Sequence, residues 1–218
     1  LKERELWAVR RKLLERAGTL LLPADKVHPT LLATLKRLYG HRPSFVGLVE
    51  AVGLHRAPQD IPKSWEKVER LETLLAFDIG TVVAMEGKGV GRVVEANMGL
   101  ESFKIDFERI KGMNVGFKAA GKLLRSLAPG HVLRRKLEEP DVLKKMAKEK
   151  PSDLLHAVLE SFGRPLTAGE VRDAVAGIVT ESGWTSFWSA ARKHPQVLAA
   201  GTGSRQTYSW AESSGDAL

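Results

Sequence analysis

The sequence predicts an α+β protein with a helical N-terminal region, a small antiparallel β-barrel and a C-terminal winged helix. Apolar residues recur at helical spacing up to about residue 76, the period changes to two at Phe77, and the helical period returns at Ser152. The 218 residues are enough for one large domain or for two to three small ones. The predicted domains are 1–76 (helical), 77–150 (barrel with a basic helix and linker) and 151–218 (winged helix).

The N-terminal region is predicted to contain four helices, each with apolar residues on one face. Pro29 lies in the opening turn of the second helix and Gly40 just past its end, an asymmetry that is typical of helix termini. Gly53 ends the third helix, and Ser64 caps the fourth after the turn-rich stretch 56–63. Helical-hairpin repeats of about 34 residues are an alternative, although no repeat is convincing. The apolar positions are Leu6, Val9, Leu13 and Ala17; Leu31, Leu32, Leu35, Leu38 and Tyr39; Phe45, Leu48, Val49 and Val52; and Trp65, Val68, Leu71 and Leu75.

Strand periodicity in the middle of the chain predicts a curled antiparallel meander. Two segments rich in β-branched residues flank Gly87 and Gly89, which can take the positive φ that a tight hairpin needs. Phe103, Ile105 and Phe107 alternate with charged residues, so one face of this strand is buried. A small barrel fits this pattern better than a flat sheet. The predicted elements are strands at 81–85, 90–96 and 103–107, a short helix near 117–126, a further strand at 131–137 and a basic helix at 140–148.

The C-terminal region is predicted to contain three helices followed by a β-hairpin, which is the order of elements in a winged helix. Gly163 closes the first helix. Thr167 and Glu170 have the spacing of a capping box and open the second helix. The third helix runs over about 183–194, and the hairpin turns at 201–204.

The third helix of this region has one apolar and one polar face. At about 100° per residue, Trp184, Phe187, Trp188 and Ala191 fall within one arc, so both tryptophans are predicted to lie in the core rather than to stack on bases. In a helix-turn-helix module the polar face enters the major groove, where Arg and Gln pair with base edges and Lys and hydroxyls hold phosphates. Every amphipathic helix has a polar face, however, and winged helices also bind proteins. The predicted nucleic-acid-binding residues are Thr185, Ser189, Arg192, Lys193 and Gln196, with Arg205 at the tip of the hairpin.

The chain is basic, and its excess charge is concentrated in one window. There are 34 Lys and Arg against 26 Asp and Glu, a formal charge of +8, and a pI of about 9.8. The window 109–136 contains no acid and supplies the whole excess, which predicts contact with nucleic acid or with an acidic protein surface. The alternative is a set of solvated charges spread around the fold. The predicted basic interaction patch consists of Arg109, Lys111, Lys118, Lys122, Arg125, Arg134, Arg135 and Lys136.

No motif in the sequence indicates catalysis, a cofactor or a metal. The absence of Cys excludes thiol nucleophiles and Cys-based zinc sites. The glycines at 87, 89 and 91 precede a strand and not a helix, so they indicate a hairpin rather than a phosphate-binding loop. Asp106 and Glu108 share a strand face, as alternation alone produces, and the histidines lack metal-binding spacing. We therefore expect no enzyme, no cofactor and no metal, with an active site assembled from distant residues as the alternative.

The same features predict a cytoplasmic protein without a membrane partner. The lack of Cys fits a reducing compartment, no apolar run reaches about 18 residues, and no signal-peptide pattern opens the chain. The chain begins with Leu1 rather than Met, as expected for a piece of a longer protein; trimming of disordered ends is the alternative.

Residues 77–210 resemble parts of two bacterial protein families. FDIGTVV at 77–83, GVGRV at 89–93 and IDFE at 105–108 resemble the small barrel of RNA-polymerase-interacting proteins of the CarD and transcription-repair-coupling type. GWTSFW at 183–188, ARKHP at 191–195 and Tyr208 are similar to the winged-helix segment in the long N-terminal extensions of some Gre-type transcript cleavage factors. The tryptophan-bearing stretch is the most distinctive part of this resemblance.

The resemblance implies a non-enzymatic accessory region of a bacterial transcription elongation factor. Its barrel would contact RNA polymerase, and its winged helix would contact DNA or another protein. Gre factors proper stimulate RNA cleavage through acidic residues at the tip of a coiled coil, and this sequence contains no such coiled coil, so that activity would need a further domain. A protein-interaction scaffold without nucleic-acid contact is the alternative. The polymerase surface, any DNA sequence preference, the role of the helical N-terminus and the oligomeric state stay open.

Overall fold

Residues 2–18, 24–56 and 61–211 are described in the computed structural model of this chain, and their helices and strands follow the periods of the sequence. Two compact units divide between Ser126 and Leu127; unit 1 precedes this point and unit 2 follows it. The division differs from the three predicted domains. The first helices and the sheet share one hydrophobic core, and the helices after Leu127 pack on a second core, so packing places the boundary at neither 76/77 nor 150/151.

Four helices open unit 1, as the sequence predicts. Two of the predicted starts are wrong, because Pro29 lies inside the second helix and Ser64 lies buried inside the fourth. A proline this close to a helix start interrupts little of its backbone bonding. Gly53, at a φ of 73°, follows the third helix as predicted. Residues 57–60 of the predicted turn lie outside the described residues. The helices are α1 (Lys2–Gly18), α2 (Ala24–Tyr39), α3 (Phe45–Ala51) and α4 (Ile61–Leu75).

The strands of unit 1 form one antiparallel sheet that curls into a half-barrel. The predicted barrel is thus an open one, with the fourth and fifth strands as its two edges. Two short strands were not predicted, and the predicted helix near 117–126 is a shorter helix followed by the last strand. The elements are β1 (Val82–Met85), β2 (Gly89–Asn97), β3 (Ser102–Phe107), β4 (Met113–Gly116), α5 (Phe117–Leu123) and β5 (Leu124–Ser126), in the sheet order β4-β3-β2-β1-β5.

Strands β2 and β3 approach closely at Gly91. A Cβ atom at this position would lie 2.8 Å from the backbone oxygen of Asp106 and 2.8 Å from the ring of Phe107, so a larger residue does not fit. A register shift between Val93 and Glu95 marks a β-bulge, which bends the strand and increases its twist. Both features help the sheet to curl.

The core of unit 1 lies between the sheet and its helices. Phe103, Ile105 and Phe107 on β3 are fully buried, which confirms the alternation predicted for this strand. The ring of Phe103 lies 6.4 Å from that of Phe77 and 4.7 Å from that of Phe117, centroid to centroid. Phe103 therefore packs against both the segment before the sheet and the first residue of α5.

Unit 2 contains five helices and a small sheet within the residues that the structure describes. The predicted strand at 131–137 is wrong, because these residues form a helix in which the His131 side chain accepts a hydrogen bond from the backbone N–H of Leu133 at 3.2 Å. Spacing of four residues between its arginines and its glutamates favours the helix. The elements are α6 (Val132–Glu138), α7 (Pro140–Glu149), α8 (Pro151–Phe162), β6 (Leu166–Thr167), α9 (Ala168–Ala174), α10 (Trp184–Ala191), β7 (Val197–Ala200) and β8 (Thr207–Trp210), with sheet order β6-β8-β7.

Two predicted helix ends in unit 2 are confirmed. Gly163 closes α8 in the left-handed conformation, at a φ of 61°. The capping box is complete: the backbone N–H of Glu170 donates to Thr167 Oγ1 at 3.2 Å, and the backbone N–H of Thr167 donates to Glu170 Oε2 at 2.8 Å. Arg164 also donates to Glu170, and chiefly this bond, with that from Thr167, lowers the pKa of Glu170 to about 2.

Candidate nucleic-acid interface

Helix α10 is fixed to unit 2 by its aromatic side. Trp188 is buried, and its ring lies edge-on to Tyr208 of β8 at 4.8 Å. Trp184 is half-buried and stacks on Trp188 with ring centroids 5.3 Å apart. Phe187 and Ala191 are also buried, so the inward face predicted for this helix is present.

The outward side of α10 presents short polar side chains and two cations. Thr185 is exposed and Ser189 is half-buried, and helical spacing places both on the side away from the buried rings. The helix ends at Ala191, earlier than predicted, so Arg192 forms its C-cap and Lys193 follows it, both exposed. The sequence contains no carboxylate between 184 and 196. This surface therefore has the charge that suits a polyanion.

Gln196 does not lie on α10, contrary to the predicted stripe. Its side-chain amide donates to the backbone oxygen of Ala211 at 3.2 Å, and its own backbone oxygen accepts from the N–H of Ala211 at 2.9 Å. The helix stops before Pro195, and Gln196 instead closes the base of the ribbon that β7 and β8 form. The amide group is therefore engaged within the protein.

Arg205 lies at the tip of this ribbon, as predicted. It is exposed and belongs to the short 3-10 turn Gly203–Arg205 that joins β7 to β8. Gly201 and Gly203 take positive φ values of 82° and 61°, which the tight turn requires. The ribbon pairs on its other side with β6, a two-residue strand that was not predicted.

The predicted basic interaction patch is divided between the two units. Five of its members belong to unit 1 and are exposed, and their side chains make no hydrogen bond or ion pair within the described part of the chain: Arg109, Lys111, Lys118, Lys122 and Arg125. The three members in α6 are engaged. Arg134 pairs with Glu138 at 2.9 Å, Arg135 pairs with Glu139, and Lys136 donates to the backbone oxygen of Ala176 at 3.2 Å.

A basic groove between α7 and α10 was not predicted. It has a volume of about 380 Å³ and is lined by Lys144 and Lys148 from α7 and by Ser186 and Ala190 from α10, among others. The lysines were visible in the sequence as part of a basic helix. Their position beside α10 depends on packing between segments about forty residues apart, which no local pattern indicates.

A second groove in unit 2 has a mixed charge. It has a volume of about 860 Å³, and Asp153 and Glu160 line it together with His156, His194 and Trp210. The indole of Trp210 stacks with both imidazoles, at centroid distances of 4.3 Å and 4.7 Å. Among residues 2–18, 24–56 and 61–211, no group of three or more His, Asp or Glu is placed to hold a metal ion.

None of the helices in the described ranges is long and apolar enough to cross a lipid bilayer.

Comparison with known proteins identifies relatives of this chain. Residues 133–196, from α6 to the segment before β7, match the GRAD helix-turn-helix domain. The transcription elongation factor GreA of Chlamydia pneumoniae is 29% identical over 161 residues, which cover 72% of this chain and 22% of the relative. GreA of Chlamydia trachomatis serovar D is 26% identical over 137 residues, which cover 60% of this chain and 19% of the relative. No solved structure gives a significant match.

The chain thus spans about a fifth of the length of the curated relatives that it matches. The tryptophan-bearing helix α10 lies inside the matched helix-turn-helix domain. These findings confirm the predicted resemblance to an extension region of a Gre-type transcription elongation factor, with a helix-turn-helix domain of the GRAD type in its C-terminal half.

Proposed function

We propose that this chain is a non-enzymatic accessory region of a transcription elongation factor, working in the cytoplasm. Unit 2 acts as a winged helix that binds duplex DNA, and unit 1 docks on RNA polymerase. The observation that carries the proposal is the outward side of α10, which presents Arg192 and Lys193 without a nearby carboxylate in its sequence.

The order of elements in unit 2 supports a winged helix. Helices α8, α9 and α10 follow one another, β6 precedes α9, and β7 and β8 form a terminal ribbon. In this arrangement α10 is the recognition helix and the ribbon is the wing. The contact of Trp188 with Tyr208 ties the helix to the ribbon, so both present their polar residues from one rigid support.

The polar residues of this support match the groups of DNA. Thr185 and Ser189 can donate hydrogen bonds to phosphate oxygens, and Arg192 at the end of α10 can reach a base edge or a phosphate. Arg205 at the wing tip is placed to contact the backbone or the minor groove. Gln196 has no role in this proposal, since its amide is bonded to Ala211.

Three observations support docking of unit 1 on RNA polymerase. The relatives are named as transcription elongation factors. The half-barrel has two edge strands, β4 and β5, and an edge strand can accept a strand from a partner. Lys118, Lys122 and Arg125 lie on α5 and β5 and have no partner among the described residues, so this edge favours an acidic partner surface.

Binding of labelled duplex DNA, followed by fluorescence anisotropy at about 50 and about 200 mM salt, tests the nucleic-acid part. If about three phosphates are contacted, we expect affinity to fall by about 40-fold between these concentrations. The absence of binding at low salt would contradict the proposal for unit 2 and favour the scaffold alternative.

A pair of double mutants locates the DNA contact. Arg192→Glu with Arg205→Glu removes two cations from the proposed interface, and we expect it to abolish binding at physiological salt. Lys36→Glu with Lys88→Glu makes the same charge change at exposed positions of unit 1 outside the predicted basic interaction patch and should retain binding. Equal losses in both variants would show that net charge, and not this surface, determines affinity.

Retention of bacterial core RNA polymerase on the immobilised chain tests the role of unit 1. We expect retention by the wild type, and a loss after Lys118→Glu, Lys122→Glu and Arg125→Glu together. Unchanged retention in this triple variant would contradict docking through α5 and β5. No retention by the wild type would contradict the polymerase proposal as a whole.

A further inference from the structure

The groove between α7 and α10 has the composition of an anion site. Lys144 and Lys148 line it from α7, and Thr180 and Ser186 add hydroxyl groups from the opposite side. None of the residues that line it carries a carboxylate. An anion in this groove would therefore meet only positive and neutral groups.

Both lysines are available to bind a ligand. Lys148 is exposed and has no hydrogen bond or ion pair among the described residues. Lys144 pairs with Asp141 at 3.1 Å, but this carboxylate is 91% exposed, and such a surface pair is weak. The two lysines stand one helical turn apart on the same side of α7, so they repel each other until an anion comes between them.

Helix α7 is held firmly in unit 2. Leu143 is fully buried in the core of the unit, and Met146 and Ala147 pack against the same core. The backbone of α7 therefore holds the attachment points of both lysines beside α10.

The groove continues the outward side of α10. At about 100° per residue, Ser186 and Ala190 follow Ser189 around the helix, on the flank away from Arg192. A polyanion lying along the outward side of α10 would extend over this flank and reach Lys144 and Lys148.

The second groove of unit 2 differs from this groove in the charge of its lining residues. Asp153 and Glu160 line it together with one arginine, Arg164, which already donates to Glu170, so a phosphate there would face two carboxylates. Of these two grooves, only the one between α7 and α10 is complementary to phosphate in charge.

We propose that Lys144 and Lys148 bind the phosphate backbone of duplex DNA, beside the DNA major groove that α10 enters. Ser186 donates a hydrogen bond to the same backbone. This inference rests on the proposed function of unit 2 and adds a contact outside the three helices of a winged helix. Lysine binds phosphate as a point charge, so the contact strengthens binding without selecting a sequence.

The test is the salt dependence of DNA binding by Lys144→Gln with Lys148→Gln. Glutamine keeps the helix propensity of lysine, so α7 should remain folded. Loss of two phosphate contacts should lower the slope of log affinity against log salt by about 1.8, equally for duplexes of unrelated sequence. Lys145→Gln with Lys150→Gln removes the same charge from the same region outside the groove and should change the slope little.

The outcomes separate this inference from the proposed function. Binding that is lost in Arg192→Glu with Arg205→Glu, but has an unchanged slope in Lys144→Gln with Lys148→Gln, would overturn the inference and leave the winged helix in place. A wild type that binds no DNA would overturn both. An equal drop in the Lys145 and Lys150 control, or a drop confined to one DNA sequence, would also overturn the inference. Circular dichroism and urea unfolding of each variant establish that its fold is intact.

Discussion

The two units use their cations differently, although one acid-free window of the sequence supplies both sets. In unit 1 the cations of this window are exposed and unpaired within the described residues, whereas those in α6 of unit 2 have internal partners. Arg134 and Arg135 each stand four residues before a glutamate that lies just outside the window. The difference teaches that cations in an acid-free window can still be paired within the fold where a carboxylate beyond the window lies within helical reach.

The units also differ in what fills their cores. The core of unit 1 combines leucines of its helices with phenylalanines that include Phe103, while the core of unit 2 combines aliphatic residues with Trp188 of α10 and Tyr208 of β8. Because the two clusters have no residue in common, each unit should respond to changes in its own core.

The largest expected effect comes from a core substitution in unit 1, which tests whether the two cores are independent. Phe103→Ala removes a fully buried ring that contacts Phe77 and Phe117, and should destabilise unit 1 by about 3–5 kcal/mol. Amide hydrogen exchange measured by mass spectrometry should show faster exchange in unit 1 and unchanged protection in α8 and α10. Equal loss of protection in both units would contradict separate cores, and Phe103→Leu provides a milder control.

A smaller effect is expected when a methyl group is added at a crowded glycine, and comparing one such glycine in each unit shows how well each tolerates it. Gly91→Ala places a Cβ 2.8 Å from the backbone oxygen of Asp106, which cannot move without disturbing β3, and should cost about 1–3 kcal/mol. Gly183→Ala in unit 2 meets the hydroxyl of Thr180 at 2.9 Å. This side chain can rotate with the loss of the hydrogen bond that Thr180 Oγ1 accepts from the N–H of Gly183, so the cost should be lower, about 0.5–1.5 kcal/mol. Urea unfolding of both variants measures the difference. A larger cost for Gly183→Ala would contradict it.

The capping box of unit 2 predicts a pH-dependent effect of about 1 kcal/mol or less. Hydrogen bonds from Arg164 and Thr167 lower the pKa of Glu170 from 4.5 to about 2, so the unfolded chain takes up this proton first. The stabilisation is therefore complete above about pH 4.5 and is lost as the pH falls towards 2. Glu170→Gln should destabilise unit 2 at pH 7, with a difference from wild type that shrinks in acid. Glu160→Gln, an exposed residue of α8, is the control and should show no such trend.

The smallest expected effect tests the difference between a paired cation of α6 and an unpaired cation of unit 1. Arg135→Gln breaks the pair with Glu139 and should cost about 0.3–0.5 kcal/mol, less at high salt. Lys122→Gln in unit 1 has no such pair to break and should leave the free energy of unfolding unchanged. A measurable cost for Lys122→Gln in urea unfolding would mean that this lysine has a role in folding.

Local patterns predicted most of the regular elements and little of the packing. The alternation of Phe103 and Phe107, the glycine at 163 and the capping box all involve residues close in sequence, and the structure confirms them. Strands β5 and β6 have three and two residues, which is too short for a period to appear. Strand β4 contains Asn114 and Gly116, residue types that are depleted in strands. The boundary at Ser126 follows from shared cores, which depend on contacts between distant segments.

The site was predicted to a similar degree. Periodicity identified the inward tryptophans and the outward Thr185 and Arg192, because these lie on one short helix. It placed Gln196 wrongly, since the helix ends before Pro195 and the amide bonds to Ala211. That α7 and α10 lie next to each other could be seen only in the tertiary fold, because nothing local to either helix indicates that they line one groove.

The indole of Trp210 has a mechanical consequence for the ribbon. It stacks with His156 from α8 and with His194 from the segment after α10, so the root of the ribbon is clamped to both helices. The far end of the ribbon is a tight turn, in which two glycines with positive φ precede Arg205. The stacking on Trp210 therefore fixes the root of the ribbon, and with it the point from which the turn that carries Arg205 extends.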